Sequence, residues 1–335
     1  MLGTGALIAW QGFRKPIGRG RQTPMKHLLL AAAAASLFLP VHAQEPAPIP
    51  SPGEIAAAAP AADWVAIAPS ALLVMDLAPD AKGKPRRVVI QLMPAPFSQG
   101  WIANIRKLAA AHWWDGTSVN RVQDNYVAQW GDATEKKPLP EGLATISEND
   151  YVTVGDAPGW QRFAKLLIPN GDVSRYASFE KGWPVAAEGT PDSVRRWPLH
   201  CYGMVGVGRN MSPDTGSGAE LYTVIGHAPR HLDRNIALVG RVISGIEHLS
   251  SLPRGTGALG FYESKAERIP IRSIRLASEL PVAKQPKFEY LSTDSNSFGR
   301  YADARANRRD PFFIRPAGGA DICNIPVPIR PVAAK

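Results

Sequence analysis

Only two cysteines, Cys201 and Cys323, occur in 335 residues. That excludes a disulfide-dense miniature scaffold and any zinc module built on repeated cysteine pairs. No apolar run reaches the roughly 20 residues that a membrane-spanning helix needs; the longest, Leu28 to Leu39, stops well short. There is no Walker A loop, no His-Glu-x-x-His, no Gly-x-Ser-x-Gly and no internal repeat. Gly203-x-x-Gly206-x-Gly208 lacks the spacing of a dinucleotide fingerprint. His227 and His231 stand four apart, but Pro229 lies between them, so they read as loop histidines rather than a metal pair on a helix. What is present is an ordinary globular complement of 45% apolar residues, with Gly 30 and Pro 31. So many turn-formers favour short strands and turns over a helical bundle.

The N-terminal segment accounts for most of the basic charge. Met25-Lys26-His27 precedes the apolar run, which ends in Pro40-Val41-His42-Ala43. A cationic start, a short apolar stretch and small residues at 41 and 43 predict a signal peptide over 1–43, cleaved after Ala43. Residues 1–24 are either an extended charged leader or the product of a start placed upstream of Met25. The formal charge of +9 includes Arg14, Lys15, Arg19, Arg21 and Lys26, with no acidic residue before position 44. Five of the nine surplus charges therefore leave with this segment. Arg305, Arg308 and Arg309 form the densest remaining basic group and read as a solvated tail. Nucleic acid is excluded as a partner, and the mature chain is expected to be a periplasmic or secreted monomer without a membrane span.

Export also bears on Cys201 and Cys323. In an oxidising compartment the two are expected to pair, closing a loop of 122 residues. Two free buried thiols are one alternative. A zinc site from His200, Cys201 and Cys323 is a weaker one.

Beyond the leader, 44–63 is Pro/Ala-rich and reads as a disordered tether. Residues 64–280 read as the main domain and 281–335 as a Pro-rich extension, with Phe312-Phe313-Ile314 and Cys323 as candidate anchors. Leu72–Leu77 and Val88–Leu92 predict a hairpin. Trp101, Ile102, Ile105, Leu108, Ala109 and His112 predict one face of a helix. Ser118–Val122, Tyr126–Trp130, Met204–Val207, Leu221–Ile225 and Ile236–Val242 predict further strands, and Ile246–Leu252 a second, short helix. Ile269 and Ile271, then Ile274 and Leu276, alternate with a one-residue slip that predicts a bulge. Residues 133–200 read mainly as loop, with an amphipathic fragment at Trp160–Leu167. Many short strands with few helices argue a mainly β, closed antiparallel barrel.

The order of short motifs along the chain is more specific. Trp114-Asp115-Gly116-Thr117 and Val119-Asn120-Arg121-Val122 precede Tyr126-Val127-Ala128-Gln129-Trp130-Gly131-Asp132. Gly218-Ala219-Glu220-Leu221-Tyr222, His231-Leu232-Asp233 and Val239-Gly240-Arg241-Val242-Ile243-Ser244-Gly245 follow. In this order they resemble the cyclophilin family of peptidyl-prolyl cis-trans isomerases, from about Leu72 to Leu276, with an enlarged middle at 133–200. The resemblance implies an eight-stranded barrel capped by two helices and a catalytic arginine at Arg121 oriented by Gln129. It implies a proline pocket from Tyr126, Val127, Tyr222 and Leu232, and no cofactor or metal. The partners implied are proline-containing segments of exported proteins.

The chain departs from the family pattern at four positions. Glu220 stands for a glutamine and brings a carboxylate towards the arginine. His231 stands where members carry Trp or His. Ile236 replaces a pocket histidine, and the substrate-binding asparagine aligns with Gly206. Retention of Arg121 and Gln129 implies an isomerase. The departures imply the alternative, a non-catalytic module or holdase that binds Pro-containing segments.

Overall fold

A computed structural model describes residues 48–155, 174, 176–190 and 193–332. The expected leader and its cleavage site after Ala43 lie outside the described residues, as does the fragment at 160–167. In chain order the regular elements begin with α1 (Pro52–Ala57), β1 (Trp64–Ala66), β2 (Leu72–Leu77), β3 (Arg86–Leu92), α2 (Gln99–Ala110), β4 (Ser118–Val122) and β5 (Val127–Gly131). There follow β6 (Thr153–Gly155), β7 (Tyr176–Glu180), β8 (Trp183–Thr190), β9 (Ser193–Pro198), β10 (Met204–Val207), β11 (Leu221–Val224) and β12 (Leu238–Ser244). Last come α3 (Glu247–Ser250), β13 (Ile269–Leu276), β14 (Phe288–Leu291), α4 (Asn296–Ala306) and β15 (Ile329–Pro331).

Eight strands close a barrel in the order β10-β11-β5-β4-β13-β2-β3-β12. The β2–β3 hairpin pairs Leu72 with Gln91 through to Leu77 with Arg86. Leu73, Met75 and Leu77 alternate with outward positions and meet Val88, Ile90 and Leu92 in the core. Helix α2 adds Trp101, Ile105 and Leu108 to the same core, all three fully buried, and α3 adds Leu249. Burying each such side chain is worth about 1.5–3 kcal/mol. The expected slip in β13 is real: its register against β2 shifts between Ile271 and Ser273.

The structure corrects the reading of three stretches. Residues 52–57 are helical rather than part of a tether, because Ser51 and Glu54 form a reciprocal cap. Ser51 N–H donates to Glu54 Oε2 at 2.7 Å, and Glu54 N–H donates to Ser51 Oγ at 3.3 Å. Residues 133–200, read mainly as loop, contain a second antiparallel sheet, β6-β9-β8-β7. The extension is folded too: β14 pairs with both β1 and β15, so β1 belongs to this third sheet rather than to the barrel. Ile55 and Ala56 of α1 pack with Phe298 and Tyr301 of α4 in its core.

Arg241 joins the three sheets. It is buried on β12, donates twice to Gln91 Oε1 (3.0 and 2.8 Å) and once to the Gly182 carbonyl (2.7 Å). Its guanidinium lies 4.3 Å from the Trp183 ring centre and 6.0 Å from that of Tyr290. Burial pushes its pKa down to about 9. Cys201 and Cys323 form a disulfide, which removes both the free-thiol and the zinc alternatives and pins the extension to the segment before β10.

Candidate active site

The site begins as a row of cross-strand neighbours on one face of the barrel wall. Arg121 of β4 stands opposite Gln129 of β5, Gln129 opposite Tyr222 of β11, and Tyr222 opposite Gly206 of β10. Directly opposed residues in antiparallel strands project to the same side, so adjacent strands deliver the side chains to one place. A register shift between Val119 and Arg121 kinks β4 at Asn120. Such bulges re-aim side chains at barrel rims.

Arg121 is held from three directions. Its Nε–H donates to the Leu259 carbonyl at 2.8 Å, one terminal nitrogen donates to Gln129 Oε1 at 3.1 Å, and the other donates to Gln123 Oε1. Its guanidinium also lies 5.7 Å from the Tyr126 ring centre and 5.3 Å from that of Phe261. Burial lowers its pKa, yet a guanidinium starts so high that it stays charged. Three of its five N–H groups find acceptors among the described residues, which leaves donor capacity for a ligand. Among the described residues no carboxylate pairs with it.

Glu220 reaches the arginine only through Gln129. The Asp132 backbone N–H and the side chains of Asn120 and Gln129 are the donors that favour its charged form. Burial pushes its pKa up to about 7, against those three donors. Gln129 thus stands beside Glu220 while its side-chain carbonyl accepts from Arg121.

Tyr126, Val127, Tyr222, Leu232 and Ile236 form one apolar cluster with Val224, separate from the barrel core. With Arg121, Gln129 and Glu220 they line a cleft of about 810 Å³. His231 stands behind it, stacked on Tyr126 with ring centres 6.3 Å apart. Gly206 brings no side chain to the row. A Cβ there would lie 2.3 Å from the Tyr222 hydroxyl, so its absence makes room for that ring. Just beyond β10 the cleft is lined by Gly208, Arg209 and Asn210.

The floor of the cluster rests on a polar chain that the sequence reading missed. Tyr222 Oη lies 2.8 Å from His200 Nε2, and His200 Nδ1 lies 2.9 Å from Asp233 Oδ1. Asp233 Oδ2 accepts from Arg230 Nε at 2.5 Å. Burial lowers the His200 pKa despite Asp233, which keeps the imidazole neutral, and burial raises that of Tyr222. The sequence signals were His231-Leu232-Asp233, read for its leucine, Tyr222, read for the pocket, and His200, weighed only as a zinc ligand. Leu259, Phe261 and Gln123, which enclose Arg121, carried no signal.

The cyclophilin type peptidyl-prolyl cis-trans isomerase/CLD family model matches residues 87–276, more than half of the chain. No curated protein matches it. Among solved structures, cyclophilin AquaCyp293 from Hirschia baltica superposes with a TM-score of 0.60 at 22% identity, covering 81% of this chain and 94% of its own. A cyclophilin type isomerase of Cryptosporidium parvum, crystallised in the presence of the dipeptide Ala-Pro, aligns at 13% identity with a TM-score of 0.34, over 61% of this chain and 98% of its own. The family match covers the barrel strands from β3 onward and every member of the Arg121–Gln129–Tyr222–Gly206 row, and the chain belongs to the cyclophilin-type peptidyl-prolyl cis-trans isomerase family.

Proposed function

We propose that this protein is an active prolyl isomerase that acts on X-Pro bonds of exported proteins, in the periplasm or outside the cell. The observation that carries the reading is Arg121: a charged, half-buried donor fixed beside an apolar cluster. The peptide bond resists rotation by about 18–20 kcal/mol because the nitrogen lone pair is shared with the carbonyl. X-Pro bonds populate both isomers but exchange over roughly tens to hundreds of seconds. In the twisted transition state the lone pair localises on the prolyl nitrogen. A cation held at that nitrogen stabilises the twisted form more than either planar isomer. Tyr126, Val127, Tyr222, Leu232 and Ile236 hold the proline ring, and the remaining Arg121 donors face the substrate. The reaction needs no nucleophile and no redox step.

The leader-like sequence at 1–43 supports export. A mature N-terminus at Gln44, read by mass spectrometry after expression in a bacterial host, is the expected result; an intact N-terminus opposes it.

A second reading, a module that binds Pro-containing segments without turning them over, is supported by Ile236 and by Glu220 beside Gln129. A protease-coupled assay on a short X-Pro peptide separates the two. Wild type is expected to accelerate isomerisation, and Arg121→Ala to lose about 10²–10³ in kcat/KM, the range for removing one transition-state donor. Peptide binding without acceleration supports the module. Equal activity in the variant rejects the assigned chemistry.

A further inference from the structure

The extension carries a feature that neither the barrel nor the cleft uses. After α4 the chain reads Arg308-Arg309-Asp310-Pro311-Phe312-Phe313-Ile314-Arg315-Pro316. Phe312–Ile314 had the composition of an anchor into the fold, but the structure turns them out. Phe312 is 85% exposed and Ile314 99%, and every residue from 311 to 319 is exposed. Scattered apolar side chains on a surface are ordinary, but consecutive ones at a single tip form a patch.

The tip has a defined shape. Phe313 N–H donates to the Asp310 carbonyl at 2.9 Å. The Phe312 and Phe313 rings meet edge to face with centres 5.1 Å apart. Arg308 lies 4.3 Å from the Phe313 ring centre and grips Asp310 with two bonds of 2.7 Å. That pair consumes the one nearby acid on the tip, and the next acidic residue along the chain is Asp321. Arg309 reaches only Asp303, at 4.0 Å with both side chains more than half exposed. Arg315 has no hydrogen bond or ion pair among the described residues.

We propose that this tip docks on the surface of a bilayer containing anionic lipids. Phe312 and Ile314 enter the boundary between headgroups and acyl chains, and Arg309 and Arg315 meet headgroup phosphates. Three observations favour a lipid surface over a folded protein. The apolar part is a convex turn of three residues, far below the roughly 800 Å² per partner of a stable protein interface. Its rim carries three arginines against Asp303 and Asp310, with Arg309 only loosely paired and Arg315 unpaired among the described residues, which complements an anionic leaflet. Aromatic and aliphatic side chains flanked by arginines match the shallow interfacial mode of binding. No described helix is long and apolar enough to cross a membrane, so the contact is peripheral.

The test is sedimentation of the full chain with phosphatidylcholine vesicles, with and without phosphatidylglycerol. Wild type is expected to bind the phosphatidylglycerol vesicles. Phe312→Ser with Ile314→Ser is expected to weaken that binding about tenfold or more, with an unchanged melting temperature because both side chains are exposed. Arg309→Glu with Arg315→Glu is expected to abolish the preference for phosphatidylglycerol. The run Leu28–Leu39 is common to all variants, so a local readout accompanies sedimentation. Phe312→Trp, measured as a difference spectrum against wild type, is expected to shift to the blue on phosphatidylglycerol vesicles. An indole that keeps its water-exposed emission there overturns the proposal and leaves a protein partner as the tip's occupant. None of these readouts depends on isomerase activity.

Discussion

Glu220 is a carboxylate in a slot made by two glycines. A Cβ on Gly131 would fall 1.8 Å from Glu220 Oε1, and one on Gly208 would fall 2.9 Å from Glu220 Cβ. The carboxylate is largely buried there, and its pKa of about 7 means that the folded state holds a proton which the unfolded chain releases near 4.5. The burial cost is therefore absent below about pH 4.5 and full above about pH 7. Wild-type stability should fall on the order of 3 kcal/mol between about pH 5 and about pH 8 from this residue alone. Glu220→Gln should flatten that dependence and be the more stable protein at the alkaline end. The buried Asn120 Oδ1 lacks a partner among the described residues, and the new amide could supply one. Urea midpoints of both proteins at the two pH values decide it, and parallel curves would reject the assignment. At this scale Arg121, Tyr126, Val127 and Gln129 were legible because they sit on two short motifs that fold into neighbouring strands, and Tyr222 and Leu232 because each sits on a further motif. The Leu259 carbonyl was not, since it meets Arg121 from 138 residues away and any residue type carries a carbonyl. His200 and Asp233 were not, because only packing tells a buried, bonded pair from two surface residues.

Among the barrel strands β13 announced itself by alternation, and β2 and β3 as apolar β-rich runs separated by turn residues. The β6–β9 sheet did not. Pro184 lies inside β8 and Pro198 ends β9, and proline in a run argues against a central strand. Val185, Ala186 and Ala187 are all fully buried, so β8 shows no inside–outside alternation, and two of the three are alanines with weak strand preference. The segment 255–262 is irregular, yet it positions the catalytic candidate. Gly255 N–H donates to the Val122 carbonyl and Tyr262 N–H to the Asn120 carbonyl, both at 2.9 Å, which clamps it along β4. Between them Gly260 adopts φ +79°, and a Cβ there would lie 2.7 Å from Gln123 Cα, a backbone atom that cannot swing aside. Gly260→Ala should push the segment off β4 and move the Leu259 carbonyl away from Arg121. The expected outcome is a fall in kcat/KM on the order of tenfold, carried by kcat, with the barrel intact by circular dichroism. Unchanged kinetics would show that the carbonyl does not hold Arg121 in its working geometry.

Across the whole molecule the extension is part of the fold rather than an appendage. It touches the inserted sheet through Phe179 and Phe298, whose rings meet edge to face at 5.0 Å, and touches the barrel through the Arg241–Trp183–Tyr290 stack. Phe288 and Tyr290 also pack with Leu72, Val74 and Val89 on the outer face of β2 and β3. The Cys201–Cys323 bridge closes 122 residues across this arrangement. In the chain-entropy model a loop of that size removes about 4–5 kcal/mol of freedom from the unfolded chain. Cys201 follows His200, so the bridge is anchored one residue from the polar chain under Tyr222. Shared cores predict one cooperative unfolding transition, with bridge loss lowering the stability of barrel and extension together. Cys201→Ser with Cys323→Ser should lower the denaturant midpoint by the equivalent of roughly 2–5 kcal/mol while keeping a single transition. The alternative physical picture, an extension stapled to a self-sufficient barrel, makes a different forecast. The barrel's tryptophan signal would then unfold at an unchanged midpoint, and the extension would melt separately. Following Trp101 and Trp130 of the barrel core against Tyr290 and Tyr301 of the extension through one titration distinguishes the two.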